Sequence, residues 1–317
     1  MTISAISARN NPVLQDIALG TQNLMTDFIA GKIFKPVVVE KNTGDILSFG
    51  SDHLRVLNTI RVDGNTNYLT MTVSKTEKWD LEYHELTAFI TDKIADQWGL
   101  ANARINFTEM LMETLMIARE SAAVTALTTA GNYAVGNKTS GTGWSDYTSS
   151  TPRTDLIAGM EAVKTSCGRY PNVAIIASDV YTYLVNHPQI RDAVAYKGES
   201  VISMEQLKAV LFPHYAASQC EILIGQSVYN SAKKGQTAVG ARAWTDVFVY
   251  AYINPNRDAR VHQTSMCYSF NKGKDSVQVK TWAQPNFLET EENVTDNWQY
   301  DDVVMDYNCG YLITTAK

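Results

Sequence analysis

The spacing of apolar positions predicts a helix and then an extended run at the start of the chain. Asn11-Pro12 is a typical helix start, because proline fits the first helical position, and Gly31 is a typical helix end. The run KIFKPVVVE at 32–40 is apolar, and its proline favours an extended chain. The predicted helical face contains Val13, Ile17, Leu24 and Phe28, with Leu14, Ala18, Met25 and Ile29 beside them.

Residues 41–80 change to a two-residue alternation, which predicts a two-stranded hairpin. Turn signals stand at Asn42-Thr43-Gly44 and at Asp63-Gly64-Asn65. Because an isolated hairpin is only marginally stable in water, we expect this one to lie against another surface, such as a second chain. Val56, Ile60 and Val62 alternate with Arg55, Thr59 and Arg61, and Leu69, Met71 and Val73 alternate with Thr70, Thr72 and Ser74.

Helical spacing returns in the next segment and predicts two helices. Asn106 is positioned to cap a long helix over 106–130, with Glu109 reaching back as in a capping box, and the helix should stop before Gly131. Such a helix is a rod of about 36 Å. A short helix over 84–99 is predicted from Leu86, Phe89, Ile90 and Ile94.

The second half of the chain has an α/β pattern. Residues 131–150 are rich in Gly, Ser, Thr and Asn and predict a loop. Pro152 is placed to begin a helix that Gly168 ends, and Asp179 to cap another. Further helices are expected after Pro188 and over 204–211. Strands are predicted at 173–177, 221–225 and 247–252, and strand patterns return within 265–317, at 277–280, 303–304 and 311–313.

The charge of the chain is concentrated in its last tenth. The formal net charge is −6, and residues 286–317 hold seven acids and one base. The remaining residues carry 26 acids and 26 bases, so no segment has the excess of cations that tight binding to duplex nucleic acid needs. The acidic segment is interleaved with aromatic and aliphatic residues, which distinguishes it from a disordered acidic tail.

The sequence gives no sign of secretion, a membrane span or a metal site. No apolar run approaches the ~18–20 residues of a membrane helix, and the N-terminus lacks a basic region followed by an apolar core. The four cysteines lie too far apart for a zinc or redox motif, and we interpret them as reduced thiols. We expect no cofactor.

No catalytic motif stands out. Gly131 and Gly136 are followed by Asn137 and only then Lys138, so a phosphate loop is rejected. His187 lies between two predicted helices, where a capping or surface role is favoured, and nothing local supports its pairing with Cys167. The acids Asp301, Asp302 and Asp306 lack calcium-loop spacing, which favours solvated charge or contacts between chains.

The order of parts resembles the major capsid proteins of tailed bacteriophages, with the Hong Kong 97-type fold. The stretch from Asp27 through Phe34-Lys35-Pro36 to Val39 resembles the N-terminal arm, residues 41–80 the extended loop, and the long helix with Arg119-Glu120 the spine helix. The resemblance to the axial domain lies in Gly168–Leu184, His187-Pro188, Ile190, Tyr196, Leu223-Ile224-Gly225 and Tyr229-Asn230. The resemblance to the last peripheral strand lies in Val303-Val304 to Gly310-Tyr311-Leu312-Ile313.

This resemblance implies an α+β capsid fold with defined parts. We expect an arm at 1–40, an extended hairpin loop at 41–82, a peripheral domain with the spine helix at 83–150, an axial domain at 151–262 and returning peripheral strands at 263–317. It also implies a non-enzymatic shell protein that assembles with itself into hexamers and pentamers around double-stranded DNA, without sequence-specific binding. The virion would be its location, after assembly in the bacterial cytoplasm.

The resemblance carries expectations about partners too. Because the arm begins near residue 1, there is no room for a long scaffolding segment, so a separate scaffolding protein or none is expected. Portal and decoration proteins are further expected partners. Two alternatives stay open: an encapsulin-type compartment shell, and an α/β enzyme using residues 152–260 with Cys167 or a histidine as the active group.

The acidic segment is predicted to make contacts between subunits. Some of its acids should face basic groups of adjacent chains, such as Arg55 or Arg61 on the hairpin, and salt would weaken such pairs. The predicted assembly residues are Arg55, Arg61, Asp63, Gly64, Glu289, Glu291, Glu292, Asp296, Asp301 and Asp302.

Overall fold

The computed structural model describes residues 9–49, 56, 73–140, 143–194, 202–255, 264–273, 277–285, 290–314 and 316. Within these residues the chain combines α-helices with β-strands of four sheets. The helices are α1 (Pro12–Leu24), α2 (Ala30–Ile33), α3 (Asp92–Trp98), α4 (Leu100–Thr128), α5 (Pro152–Cys167), α6 (Ser178–Asn186), α7 (Pro188–Val194) and α8 (Met204–Leu211). The strands are β1 (Arg9–Asn10), β2 (Pro36–Val39), β3 (Thr43–Phe49), β4 (Val73–Asp80), β5 (Glu82–Ile90), β6 (Lys138–Ser140), β7 (Val173–Ala177), β8 (Glu221–Gly225), β9 (Val228–Asn230), β10 (Gly240–Arg242), β11 (Val247–Ala251), β12 (Cys267–Lys272), β13 (Val277–Pro285), β14 (Thr290–Val304) and β15 (Gly310–Thr314).

A six-stranded sheet brings the two ends of the chain together. Its central strand is β14, which pairs antiparallel with β13, β5 and β12, while β2 from the N-terminal segment pairs parallel with β12. The two-residue strand β1 adds to β13. The described part of the N-terminal segment is therefore bound into the body of this chain.

Helices α1 and α4 cover one face of this sheet. Asn11 caps α1 by accepting the N–H of Leu14, and Leu14 and Ala18 are buried while Val13 is exposed. Of the two neighbouring rows of apolar residues, the buried face of α1 is therefore the row that contains Leu14 and Ala18. The core between helices and sheet consists of Leu14, Ala18, Ile90, Ala103, Met112, Leu115, Met116, Val277, Val279, Val294, Trp298 and Tyr300.

The α/β half of the chain is built on a five-stranded sheet in the order β6-β15-β11-β7-β8. Strands β7 and β11 are buried along their whole length, as expected for strands covered on both faces. Pro152 begins α5 and Gly168 ends it in the left-handed conformation, as the sequence predicts. Asp179 is inside α6, which begins at Ser178, and so does not cap that helix from outside.

The last described strand belongs to the five-stranded sheet. β15 pairs antiparallel with β11 and parallel with β6, whereas the resemblance groups residues 310–313 with the returning peripheral strands. This sheet therefore crosses the expected boundaries at 150 and 262. Four of the five residues of β15 are buried, which suits a strand with neighbours on both sides, but strand pattern alone does not specify which sheet a strand joins.

The prediction of a helix over 84–99 was wrong for residues 84–90, and the long helix begins earlier than predicted. Residues 82–90 form a strand, and only Asp92–Trp98 are helical, because His84, Leu86, Ala88 and Ile90 alternate with more exposed residues. Helix α4 begins at Leu100, after Gly99 with φ of 76°, so Asn106 is inside the helix and is not its cap. Its 29 residues make a rod of about 44 Å.

Strands β3 and β4 form the described part of the predicted hairpin. They pair antiparallel from Thr43–Asp80 to Phe49–Val73, in a sheet that contains only these two described strands. The predicted turn at 63–65 and the alternating residues of 57–72 lie outside the described residues.

Candidate assembly site

Two consecutive charged residues of α4 are buried where the helix meets the rest of the chain. Arg119 is 6% exposed and Glu120 is 1% exposed. Neighbouring positions of a helix differ by about 100° in direction, so the two side chains reach different partners. We call Arg119, Glu120 and the groups that they bind the charged junction.

Arg119 fixes α4 to the six-stranded sheet. Its Nε and Nη2 donate to the two carboxylate oxygens of Asp302, at 2.7 and 2.9 Å, and Nη2 also donates to Ser269 Oγ at 3.2 Å. The guanidinium carbon lies 4.7 Å from the ring centroids of Trp298 and Tyr300. Bidentate pairing with a carboxylate and contact with aromatic faces are the geometries that favour arginine over lysine here.

Glu120 joins three segments that are distant in sequence. Its Oε2 accepts the N–H groups of Ile29 and Ala30, at 3.1 and 2.8 Å, and its Oε1 accepts the indole N–H of Trp244 at 2.6 Å. Burial raises the pKa of Glu120, while the hydrogen bond from Trp244 and those from Ala30 and Ile29 act in the opposite direction. A single carboxyl group thus connects the start of α2, the middle of α4 and the segment before β11.

The hairpin is attached to the body at one end. We call Gly44, Trp79 and Asp80 the hairpin base. The N–H of Asp80 donates to Asp301 Oδ2 at 2.8 Å, and the Trp79 ring stacks on Phe270 with centroids 5.2 Å apart. The direction of β3 and β4 relative to the six-stranded sheet is therefore set by a backbone hydrogen bond and an aromatic stack.

Replacing Gly44 by Ala should loosen the hairpin base. Gly44 faces Trp79 across the two strands, and a Cβ at residue 44 would overlap the indole ring. The ring would have to leave Phe270, at a cost of about 1–3 kcal/mol for overpacking. Hydrogen exchange of amides 73–80 should become faster than in the wild type. Thr43→Ala, at the exposed neighbouring position, is the control, and equal exchange in both variants would contradict the prediction.

The predicted assembly residues divide into three groups. Asp302 belongs to the charged junction, Asp301 holds the hairpin base, and Asp296 is buried within the chain at 0% exposure. Contacts of these acids with adjacent chains stay a prediction. Glu291 and Glu292 are in β14 with undescribed side chains, and Arg55, Arg61, Asp63, Gly64 and Glu289 lie outside the described residues.

The residues considered for catalysis have structural partners. Nδ1 of His187 accepts the N–H of Gln189 at 3.2 Å, so Nε2 carries the proton toward Ser150 Oγ, 3.1 Å away. His187 thus caps α7, and it is 1% exposed, so the expected alternative of a surface position is wrong. Burial lowers the pKa of His187 and favours this neutral form. Cys167 contacts Cys309.

The described ranges contain neither a metal site nor a membrane-spanning helix. Among these residues no group of three or more His, Cys, Asp or Glu side chains is arranged to hold a metal ion. Asp306 accepts the N–H of Asn308 at the turn before β15, whereas Asp301 and Asp302 have the partners given above. None of the helices in the described part is both long and apolar enough to cross a membrane.

Sequence reasoning missed several residues of the junction. Arg119 and Glu120 were noted only through the resemblance, and Trp244 and Ser269 not at all. One signal in the sequence could have identified Arg119 and Glu120. They are two adjacent charged residues at helix positions that the apolar spacing predicts to be buried. Their partners are 124 and 150 residues away in sequence, beyond the reach of any local pattern.

Comparison with known proteins extends along the whole chain. No family model matches the sequence. The chain is 25% identical over 310 residues to the major capsid protein of Burkholderia phage BcepMu, which covers 96% of this chain and 95% of that protein. A phage-related protein from Bordetella bronchiseptica, solved by crystallography, is similar with a TM-score of 0.74, at 20% identity and with 98% of both chains covered.

A compartment shell shares the architecture at a greater distance. The encapsulin from Synechococcus elongatus is similar with a TM-score of 0.52 at 9% identity, covering 100% of this chain and 93% of that one. The similarity is thus greater to the phage-related structure than to this encapsulin. Together with the order of elements described above, these findings confirm that the chain has the α+β capsid fold of the Hong Kong 97 type, as its resemblance to tailed-phage major capsid proteins predicts.

Proposed function

We propose that this chain is the structural major capsid protein of a tailed double-stranded DNA bacteriophage. The observation that carries the proposal is its similarity to the BcepMu major capsid protein, which extends over almost the full length of both chains. The buried contacts of the α4 charges and of His187 support a structural role for them, because each of these side chains is used to hold segments of the fold together. We infer that the chain has no enzymatic role.

The hairpin is the part that we assign to contacts between subunits. Its two described strands pair only with each other, and the body contacts it at the hairpin base. A two-stranded sheet gains too little from its own pairing to be stable alone. We propose that it lies across a neighbouring copy in the hexamers and pentamers of an icosahedral shell, where that copy supplies the missing surface.

The remaining partners follow from the same proposal. The shell would enclose double-stranded DNA without sequence-specific contacts, which agrees with a sequence that has no cationic segment. Separate scaffolding, portal and decoration proteins are proposed to act with it. The virion capsid is its proposed final location, after assembly in the cytoplasm of the host.

Electron microscopy of the protein expressed alone tests whether it assembles into a shell. A hairpin variant tests whether the hairpin contacts a neighbouring subunit. Replacing residues 50–72 by the turn Asn-Gly should leave the circular dichroism of the body close to that of the wild type. Closed shells or tubes should form from the wild type and be absent from the variant. The double variant Glu109→Ala and Glu113→Ala, on exposed positions of α4, is the matched control and should still assemble. Normal shells from the shortened chain would overturn the assignment of the hairpin.

An encapsulin-type compartment remains the second candidate, because an encapsulin shares the fold. The two candidates differ in what the particle encloses. Particles purified from their natural source should contain double-stranded DNA if the chain is a phage capsid protein. Particles that hold a cargo enzyme and no genome would favour the compartment instead.

A further inference from the structure

Two buried cysteines meet inside the α/β half of the chain. Cys167 is the last residue of α5, and Cys309 ends the turn that leads into β15. Their sulfur atoms are 2.9 Å apart, although the residues are 142 positions apart in sequence. Both are free thiols, 7% and 0% exposed. Since the sulfurs are already in contact, only a small displacement separates them from a disulfide bond of about 2.05 Å.

The two thiols are not equivalent. The hydrogen bond between the two sulfurs, in which either thiol can donate, is the largest cause of a lowered pKa at Cys167, to which the nearby Arg169 also contributes. Burial raises the pKa of Cys309 well above its usual value, and the contact with Cys167 adds to it. Asp306 raises the pKa of both thiols. The thiolate is the reactive form of cysteine, so Cys167 is the nucleophile of the pair.

We propose that Cys167 and Cys309 are a redox-sensitive pair that a peroxide converts reversibly into an intramolecular disulfide. The Cys167 thiolate attacks one peroxide oxygen, breaks the O–O bond and becomes a sulfenic acid, and the hydroxide that leaves takes a proton to form water. The Cys309 sulfur then attacks Cys167 Sγ, displaces hydroxide as the S–S bond forms, and its thiol proton completes a second water. Two thiols lose two electrons, and hydrogen peroxide is reduced to two waters.

The bond would fasten α5 to the end of the chain. Helix α5 contacts β15 and the turn before it, so the disulfide would tie two elements that otherwise meet only through packing and hydrogen bonds. The pair stays reduced in a reducing cytoplasm and becomes oxidised where oxidant is available. One consequence of this inference rests on the proposed function. In the proposed shell, oxidation after release from the host would stiffen every subunit.

Mass spectrometry of the full-length protein tests the pair directly. The purified protein is treated with hydrogen peroxide, unfolded in an alkylating reagent and digested. We expect a peptide linked through Cys167 and Cys309, loss of two alkylatable thiols for each chain, and recovery of both with dithiothreitol. The melting temperature should rise by about 5 °C on oxidation, because the disulfide closes a long loop in the unfolded chain.

The other two buried cysteines are internal controls. Cys220 donates to the backbone carbonyls of Ala216 and Ala217 and contacts no other thiol among the residues that the structure describes, and burial raises the pKa of Cys267. Cys220→Ser should keep the linked peptide and the rise in melting temperature, whereas Cys309→Ser should lose both. Oxidation of Cys220 at the rate of Cys167, disulfides between chains only, or four alkylatable thiols retained by the folded wild type after peroxide treatment would overturn the proposal. The linked peptide and the melting temperature are measured on the purified protein and do not require assembled shells. A failure of the protein to form shells would therefore not change the outcome of this test.

Discussion

Replacing Glu120 by Ala is expected to destabilise the chain by about 3–5 kcal/mol, because three buried donors lose the acceptor that they share. The substitution removes the acceptor of three buried donors, which are the N–H groups of Ile29 and Ala30 and the indole N–H of Trp244. Each donor left without a partner costs about 1–3 kcal/mol, and the cavity adds to this. In thermal unfolding, the midpoint should fall by about 5 °C or more.

Two further variants make the Glu120 result specific. Glu120→Gln keeps the shape and one carbonyl oxygen, so it should lose roughly half as much stability, because its amide must turn toward one of the donors. Glu113→Ala, on an exposed position of the same helix, should change the midpoint by about 1 °C or less. If Glu120→Ala and Glu113→Ala unfold at the same temperature, the junction does not hold the segments together.

Replacing Asp296 by Asn should stabilise the chain at neutral and higher pH but hardly at pH 4. Asp296 is 0% exposed, neither carboxyl oxygen has a hydrogen-bond partner within the described part of the chain, and its strand neighbours are Val279 and Leu86. Burial raises the pKa of Asp296 from 3.8 to about 7. Below about pH 3 the group is protonated in both the folded and the unfolded chain and has no effect on stability, and at pH 4 its effect is still small.

The sign of the effect follows from the raised pKa. Between about pH 4 and pH 7 the unfolded chain ionises Asp296 while the folded chain does not, so stability falls as pH rises. Above pH 7 the penalty is complete and amounts to about 4 kcal/mol at most. Asn removes the ionisation, so unfolding in urea should show a gain of about 2–4 kcal/mol at pH 8 and about 1 kcal/mol or less at pH 4.5. Asp96→Asn, at an exposed site, is the control, and an equal gain at both pH values would refute the prediction.

Local signals predicted much of the α/β half and one strand of the six-stranded sheet. Pro152 and Gly168 mark the two ends of α5, the apolar run 173–177 is a buried strand, and the alternation at 277–280 lies in β13. These features depend on residues close in sequence, such as a proline that fits the first turn and a glycine that adopts the left-handed conformation. Such signals are readable because the neighbouring residues alone determine them.

Strand β5 shows where periodicity fails. Leu86, Phe89 and Ile90 fit a helical face, but Leu86 and Ile90 also fit a two-residue repeat, and Phe89 is 57% exposed in the strand. Pairing with nine residues of β14 decides between the two patterns, and that partner is more than 200 positions away in sequence. The sheet in which β15 lies was unpredictable for the same reason.

The charged junction could be predicted only in part. A buried Arg-Glu pair on a helix calls for partners of opposite charge or hydrogen-bonding capacity. The sequence offers 33 acids and many polar groups as such partners, so Asp302 and Trp244 could not be selected from among them. The sequence predicts that acids of 286–317 lie at contacts between subunits, because composition does not separate a surface aspartate from Asp296 in the core.

The position of β15 has a consequence for synthesis. Residues 310–314 lie between β6 and β11, so the five-stranded sheet is incomplete until this strand has left the ribosome, after every other described strand. Until then the edge of β11 presents unpaired backbone groups, which favour association with other unfinished chains. A nascent chain without β15 therefore exposes a strand edge that favours aggregation. A prematurely terminated chain would be degraded or would aggregate, which would keep truncated subunits out of a growing shell.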